Sequence, residues 1–270
     1  PHADLPAAMV PPLHVVVLAA GEGRRLKGAE PKVLTSLWGR PAVCWPVDAA
    51  AALRPERTVV VGGASLGPLE KALSARDVRL VRQPRPLGTG HAVLCAGDEL
   101  AGAEGTVLIL NADGPLVRPE LLESLLVHHR EVGAEVSLLS LHLDDPAGYG
   151  RVVRDAAGNV TAIVEDKDAS VEQRDVHEVN SGIWAVELSI LFDRLERLGT
   201  DNAQGEIYLT DLVAETRASG GIVSALAWEH PEDALGFNDQ RELAEIRRLL
   251  RRRILAGHLE NGVEIVDPET

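Results

Sequence analysis

Short, continuous apolar runs mark the first half of the chain. Residues 14–18 (HVVVL), 58–61, 78–81 and 106–110 lack polar alternation, the pattern of strands buried on both faces. Between them, residues 42–53, 66–75, 90–100 and 119–132 carry apolar positions at helical spacing. Strand and helix in that alternation predict parallel strands joined by right-handed crossovers, hence an α/β, doubly wound, mostly parallel sheet of the Rossmann-like kind. In such sheets ligands bind beyond the carboxyl ends of the strands, in the loops that lead into helices.

The second half reads differently. Residues 135–142, 151–154 and 160–165 are strand-like and separated by turn residues such as DAAGN (155–159), which predicts an antiparallel extension forming a lid. A helix is expected at 207–218 and a strand at 222–227. Residues 239–255 form an Arg-rich C-terminal helix with Leu243, Ile246, Leu249, Leu250 and Ile254 along one face. No internal repeat or low-complexity linker interrupts the chain. Residues 1–12 (PHADLPAAMVPP) read as a loose tail without the basic start or apolar stretch of a signal peptide. Residues 13–257 read as one domain and 258–270 as a connector.

Composition narrows the partners. At 270 residues and 45% hydrophobic content the chain can bury a full core. A formal net charge of −14 argues against a nucleic-acid surface, although a local basic cluster can still bind a small phosphorylated ligand. No apolar run approaches the roughly 20 residues of a membrane helix. Two cysteines, Cys44 and Cys95, make neither a disulfide framework nor a metal site and read as buried thiols. The expected compartment is the cytoplasm.

The candidate chemistry begins at the end of the first strand, with LAAGEGRRL (18–26) followed by PKVL (31–34). Small residues let backbone N–H groups approach a ligand, and successive N–H groups form an anion nest. Arg25 and Lys32 can then neutralise a triphosphate. A dinucleotide fingerprint needs a third glycine where Leu26 stands, and a Walker-type loop needs Gly-Lys-Ser/Thr, so neither matches. The glycines alone fit a tight strand-to-helix turn equally well; Pro31 and Lys32 shift the balance toward phosphate.

The pattern LAAGxGxR followed by PK is similar to the opening signature of the sugar-1-phosphate nucleotidyltransferases. More specifically, the chain resembles the uridyltransferase half of the bacterial bifunctional N-acetylglucosamine-1-phosphate uridyltransferase/glucosamine-1-phosphate acetyltransferases. The resemblance continues in order through Gln83, LGTGHA (87–92), NADGPL (111–116), GYGR (148–151), IVEDKDA (163–169), EVNSG (178–182), NAQGEIYLTD (202–211) and GFN (236–238). It covers about residues 13–257 and implies a nucleotidyltransferase sheet with its lid and C-terminal helix.

The resemblance also implies roles. Leu18, Ala19, Ala20, Gly21, Gln83, Gly88 and Thr89 would bind the nucleotide, with Gln83, Gly88 and the backbone of Ala20 and Gly21 reading uracil. A glutamine amide carries both donor and acceptor, which suits that edge. Asp113 and Asn238 would hold Mg²⁺, a hard ion that takes oxygen ligands and shares them with substrate phosphates. Gly150, Glu165 and Asn180 would form the amino-sugar pocket, with Tyr208 and Thr210 closing its far wall. Arg25 and Lys32 would be the catalytic cations. Each residue also has a plainer reading: Asp113 as a cap before Pro115, Asn238 as N-cap of the last helix, Gln83 and Asn180 as strand-end amides, Gly150 as a turn glycine and Glu165 as an exposed lid carboxylate. Lys167 reads equally as a sugar-phosphate contact or a solvated lysine, and His91 as packing at a helix start.

The implied function is Mg²⁺-dependent uridylyl transfer from UTP to N-acetylglucosamine 1-phosphate, giving UDP-N-acetylglucosamine, a peptidoglycan precursor, and pyrophosphate. The implied partners are those small molecules, with no nucleic acid and no membrane. Three features depart from the family pattern. Ala112 stands where the family has glycine, with Gly114 two positions on, and its methyl is expected to crowd the ribose. Arg24 replaces the usual Thr or Ser, adding a phosphate contact or facing solvent. After GVEIVDP (262–268), similar to the connector into the family's left-handed β-helix, the sequence ends; acetyl transfer and trimerisation are therefore not expected of this chain, which reads as a monomer. Three alternatives stay open. They are another sugar-1-phosphate nucleotidyltransferase, such as thymidylyl transfer to glucose 1-phosphate, a non-catalytic sugar-nucleotide-binding regulator resting on the Ala112/Gly114 exchange, and a dinucleotide-dependent oxidoreductase opposed by the missing third glycine.

Overall fold

The computed structural model describes residues 11–21, 23, 26 and 30–269. In chain order the strands are β1 (Leu13–Ala19), the short arms β2 (Ser36–Leu37) and β3 (Arg40–Pro41) of a separate hairpin, β4 (Arg57–Gly62), β5 (Arg79–Arg82) and β6 (Thr106–Asn111). They continue with β7 (Val136–His142), β8 (Arg151–Arg154), β9 (Val160–Val164), β10 (Glu178–Glu187) and β11 (Val223–Ala227). The helices are α1 (Cys44–Ala51), α2 (Gly67–Leu73), α3 (Thr89–Leu94), α4 (Gly97–Leu100), α5 (Pro119–Val132), α6 (Val171–Arg174), α7 (Leu188–Glu196), α8 (Leu212–Ala218) and α9 (Gln240–Glu260).

The unbroken apolar runs explain the layering. Successive side chains of a strand point to opposite faces, so β1 sends Val15, Val17 and Ala19 into one core cluster and Val16 into the other. β6 divides the same way, with Leu108 and Leu110 on one side and Val107 and Ile109 on the other. The first cluster is covered by α1, α2 and α5, the second by α3, α4, α7 and α8. Among the described residues the main sheet has nine strands, ordered β11-β7-β10-β6-β1-β4-β5 with β8 and β9 off that path. β1 pairs in parallel with both β4 and β6, and β10 runs antiparallel between β6 and β7. The chain passes from β1 to β4 and β5 on one side and then crosses to β6 on the other. The crevice beyond the carboxyl ends of β1 and β6 is therefore the switch point where a ligand site belongs.

Several expected elements differ. Residues 135–142 belong to the central sheet as β7, and the lid is the antiparallel β8–β9 hairpin, joined to β10 through the pairing of Arg151 with Val179. The helix expected over 90–100 breaks around Cys95–Ala96–Gly97 into α3 and α4. The one expected over 207–218 is helical only from α8 onward, with Leu209–Asp211 forming a 3-10 turn. Before it, Ile207 is held extended, its N–H donating to Leu87 O (2.8 Å) and its carbonyl accepting from Gly90 N (2.8 Å). α5 matches its expected span, with Pro119 in its first turn and Gly133 left-handed (φ 64°) at its end. The cap of α9 is Asp239, whose carboxylate accepts from the N–H groups of Arg241 and Glu242, so Asn238 is not the cap. A third cluster places Leu26, Leu116 and Phe237 against Leu243, Ile246 and Leu250 of α9. Gln240 adds a hydrogen bond to Leu26 O (3.0 Å), tying α9 to the far end of the glycine-rich loop. Both cysteines are free, Cys44 buried and Cys95 half-buried.

Candidate functional site

Two adjoining hollows open at the switch point. The larger, about 570 Å³, is lined by Leu18, Ala20, Gly21, Lys32, Gln83, Gly88, Thr89, Asp113, Asn238 and neighbours. The smaller, about 230 Å³, is lined by Gly150, Glu165, Asn180, Thr210 and neighbours. Leu18, Thr89, Asn111, Asp113 and Asn238 line both, so the two hollows share one seam.

A lysine from the larger hollow reaches two of these shared residues. The Lys32 ammonium, on a side chain only 9% exposed, ion-pairs with Asp113 Oδ2 and donates to Asn238 Oδ1 at 2.8 Å. It also lies 5.6 Å from the centre of the buried Phe237 ring. Three distant segments thus meet at one point: the turn after the glycine-rich loop, the end of β6, and the residue before α9. Among the described residues no cluster of three or more His, Cys, Asp or Glu could hold a metal. Asp113 and Asn238 nevertheless offer one carboxylate and one amide oxygen converging on a position already favourable for a cation. That is the small, hard donor set Mg²⁺ takes when phosphates complete its coordination.

In the larger hollow, Gln83 is buried and its Nε2 donates to Gly88 O (3.0 Å) and lies 3.0 Å from His91 Nδ1. Gly88 has φ 104°, and a Cβ there would run into the Ile207 carbonyl; only glycine lets the two segments pair. Thr89 Oγ accepts from Leu209 N (3.0 Å). In the smaller hollow, Thr210 Oγ donates to Glu165 Oε1 (2.9 Å). Burial first, and then the nearby Asp211, Asp168 and Asp166, hold the Glu165 carboxyl above the usual range. Asn180 donates its N–H to Gly150 O (2.8 Å), and its Oδ1 accepts from Gly182 N (3.0 Å), which leaves its Nδ2 as the remaining donor. Gly182 (φ 81°) lies in an irregular stretch of β10, where a Cβ would collide with the Asn111 amide.

Most expected site residues are therefore brought together, with exceptions. Ala19 and Tyr208 line neither hollow. Ala19 packs in the core, and the Tyr208 hydroxyl accepts from Gln204 Nε2 (2.9 Å). Arg24 and Arg25 lie outside the described residues. Ala112 lines neither hollow: the residue is wholly buried in the core cluster, and its N–H donates to Leu18 O (3.0 Å). Lys167 donates to Gln204 Oε1. Sequence reading missed Asn111, Tyr149, Gln204 and Glu206 as lining residues. The place of Asn111 at the carboxyl end of an apolar strand was a usable signal for it. Gln204 and Glu206 fall inside the NAQGEIYLTD motif, which was the available signal for them, and they stand beside the pairing of Ile207 with Leu87 and Gly90.

Comparison with known proteins agrees with this geometry. The family model described as MobA-like NTP transferase domain matches residues 15–175. The chain is 47% identical over 255 residues to a protein named bifunctional protein GlmU of Pelobacter propionicus, covering 94% of this chain and 55% of that one. Likewise named proteins of Corynebacterium efficiens and Geobacter sulfurreducens are 44% and 43% identical, over 95% of this chain and 54% of theirs in each case. The chain spans about half the length of these relatives. Among the described residues no helix is long and apolar enough to cross a membrane.

Proposed function

The chain belongs to the MobA-like NTP transferase domain family, and from that premise we propose that it transfers uridylyl from UTP to N-acetylglucosamine 1-phosphate. The observation that carries the reading is the cation seam: Lys32 bound by Asp113 and Asn238 where two polar hollows meet. A transfer between two phosphates needs positive charge at the junction of a donor site and an acceptor site, and this is where the charge sits.

In the proposed reaction a phosphate oxygen of the sugar phosphate attacks the α-phosphorus of UTP. The new P–O bond forms as the bond to the β-phosphate oxygen breaks, and pyrophosphate leaves with both electrons. The second ionisation of a phosphate monoester falls near pH 6, so the attacking oxygen is already anionic and no general base is required. Catalysis then consists of positioning and charge neutralisation. Gly21, lining the larger hollow just after β1, would meet the triphosphate and Lys32 the leaving pyrophosphate, a role the motif also assigns to Arg25. Asp113 and Asn238 are the residues that would hold Mg²⁺, which when bound supplies further neutralisation to the phosphates. Gln83 and Gly88 address the base. Asn180 Nδ2 is a donor suited to the acetamido carbonyl, and the Glu165 carboxylate an acceptor for sugar hydroxyls.

The burial of Ala112, outside both hollows, speaks against the crowding on which the non-catalytic reading rested. The test is a substrate matrix in which all four ribonucleoside triphosphates and dTTP are assayed against N-acetylglucosamine 1-phosphate and glucose 1-phosphate. UTP with the amino-sugar phosphate should have the highest kcat/KM. Preference for dTTP with glucose 1-phosphate overturns the assignment.

A further inference from the structure

Behind the wall of the nucleotide hollow, and not itself lining it, a histidine with no part in the phosphate chemistry is held against the residue that addresses the base. Gln83 is 6% exposed, and its amide has two fixed contacts, to Gly88 O and His91 Nδ1, both at 3.0 Å. A carbonyl oxygen can only accept, so Gly88 requires the amide nitrogen, not the oxygen, on that side. The second amide hydrogen then points at His91 Nδ1, which must be the unprotonated ring nitrogen. Burial first, and then the nearby Arg85, keep this imidazole below the usual histidine range, in agreement with a neutral ring. Turning the amide over would set its oxygen against the Gly88 carbonyl and would need the other imidazole tautomer at His91. With both amide hydrogens used inside the protein, Oε1 is the polar atom Gln83 has left for a ligand in the hollow it lines.

We infer that His91 is a positioning residue that locks the Gln83 amide with its oxygen toward the base, and so sets the choice of uracil over cytosine. Uracil presents an N3–H donor, which an amide oxygen accepts. Cytosine presents a bare N3 lone pair at the same place, which that oxygen repels. A free amide would turn over and accommodate either base; one held between Gly88 O and His91 Nδ1 would not. The inference rests on the reading of Gln83 as the base-facing residue, and the test separates the two.

kcat/KM for UTP and for CTP should be measured with saturating N-acetylglucosamine 1-phosphate for the unaltered chain and for His91→Leu, His91→Asn and Gln83→Ala. Leucine keeps bulk and removes the acceptor; asparagine can return an oxygen near the position of Nδ1. His91→Leu should lower the UTP:CTP ratio about tenfold, the order of one hydrogen bond. The change should fall mainly on KM for the nucleotides, and His91→Asn should recover most of the ratio. A general packing defect would lower both rates together and leave their ratio unchanged. If Gln83→Ala collapses the ratio while His91→Leu preserves it, the lock is wrong and the base contact stands. If Gln83→Ala itself leaves the ratio intact, Gln83 does not read the base and both fail. For any variant too slow to assay, Kd values for UTP and CTP from calorimetry replace the kinetic ratio with the same expected outcome.

Discussion

β6 carries a polar cluster at each end, and the two are built for different purposes. Beyond its carboxyl end Asp113 meets Lys32 and Asn238 on the floor of an open hollow. At its amino end Thr106 Oγ donates to Glu187 Oε1 (3.0 Å). The same oxygen lies 3.0 Å from His129 Nε2, and His129 Nδ1 lies 2.8 Å from Ser137 Oγ. Ser137, His129 and Glu187 make an acid–imidazole–hydroxyl series that on connectivity alone looks like an activated nucleophile. Ser137 and His129 are 0% and 1% exposed, however, and no substrate can reach the hydroxyl. A catalytic arrangement needs access as well as connectivity, and the ordinary-looking lysine corner has it.

The carboxylates of the two regions show the same contrast. Glu187 has His129 and Thr106 as hydrogen-bonding partners, the imidazole being the chief cause, and titrates below the usual range. Glu165, in the smaller hollow, has Thr210 and three carboxylate neighbours, and burial pushes it up. A structural carboxylate is satisfied by the fold, whereas one awaiting a ligand is left short of partners at a cost in stability.

Breaking the open cluster should have the largest effect. Lys32→Ala is expected to cost roughly 3 kcal/mol of transition-state stabilisation, about two orders of magnitude in turnover. This would be read as the rate of pyrophosphate release; near-normal turnover would mean the seam is not where charge develops. Breaking the sealed cluster should do the reverse. His129→Leu strands the buried Ser137 hydroxyl, leaves Glu187 with Thr106, and should lower unfolding stability by ~2 kcal/mol in denaturant titration. Turnover per folded molecule should stay within a few-fold of normal, and a hundredfold loss would give the buried series a role in the chemistry.

Smaller effects come from the two carboxylates. Glu165→Gln should raise KM for the sugar phosphate about tenfold while changing KM for UTP much less. Because the folded chain holds the Glu165 proton more tightly than the unfolded chain, this group's contribution to stability is present at low pH and is lost as pH rises through its folded value. Glu187 has the opposite sign: its contribution is present above the unfolded value and lost as pH falls through the folded one. Denaturation midpoints measured from pH values below the ordinary glutamate range up to neutral should therefore respond in opposite senses to Glu165→Gln and Glu187→Gln, the first above that range and the second below it. Parallel responses would remove the distinction between the regions.

The same contrast explains what could be read in advance. The parallel strands were legible because Val-, Leu- and Ile-rich runs have no other soluble home, and α5 because Pro119 and Gly133 bracket it. β10 was not, because EVNSG contains a turn-like Asn-Ser-Gly that only its neighbours β6 and β7 hold in a sheet. The helix expected from residue 207 loses its start because Leu87 and Gly90 claim the backbone of Ile207. The glycine-rich motif pointed to Lys32, and the family resemblance to Asp113 and Asn238, each individually. Their meeting at one point, and the arrival of Gln204 and Glu206 beside the larger hollow, depend on tertiary contacts between distant segments.

The account stands most directly on one measurement, pyrophosphate release by this chain from UTP and N-acetylglucosamine 1-phosphate with and without Mg²⁺. Release is expected only when both substrates and Mg²⁺ are present, with UDP-N-acetylglucosamine formed in equal amount. Tight binding of the nucleotide sugar without release, or release that ignores the sugar phosphate, would contradict it.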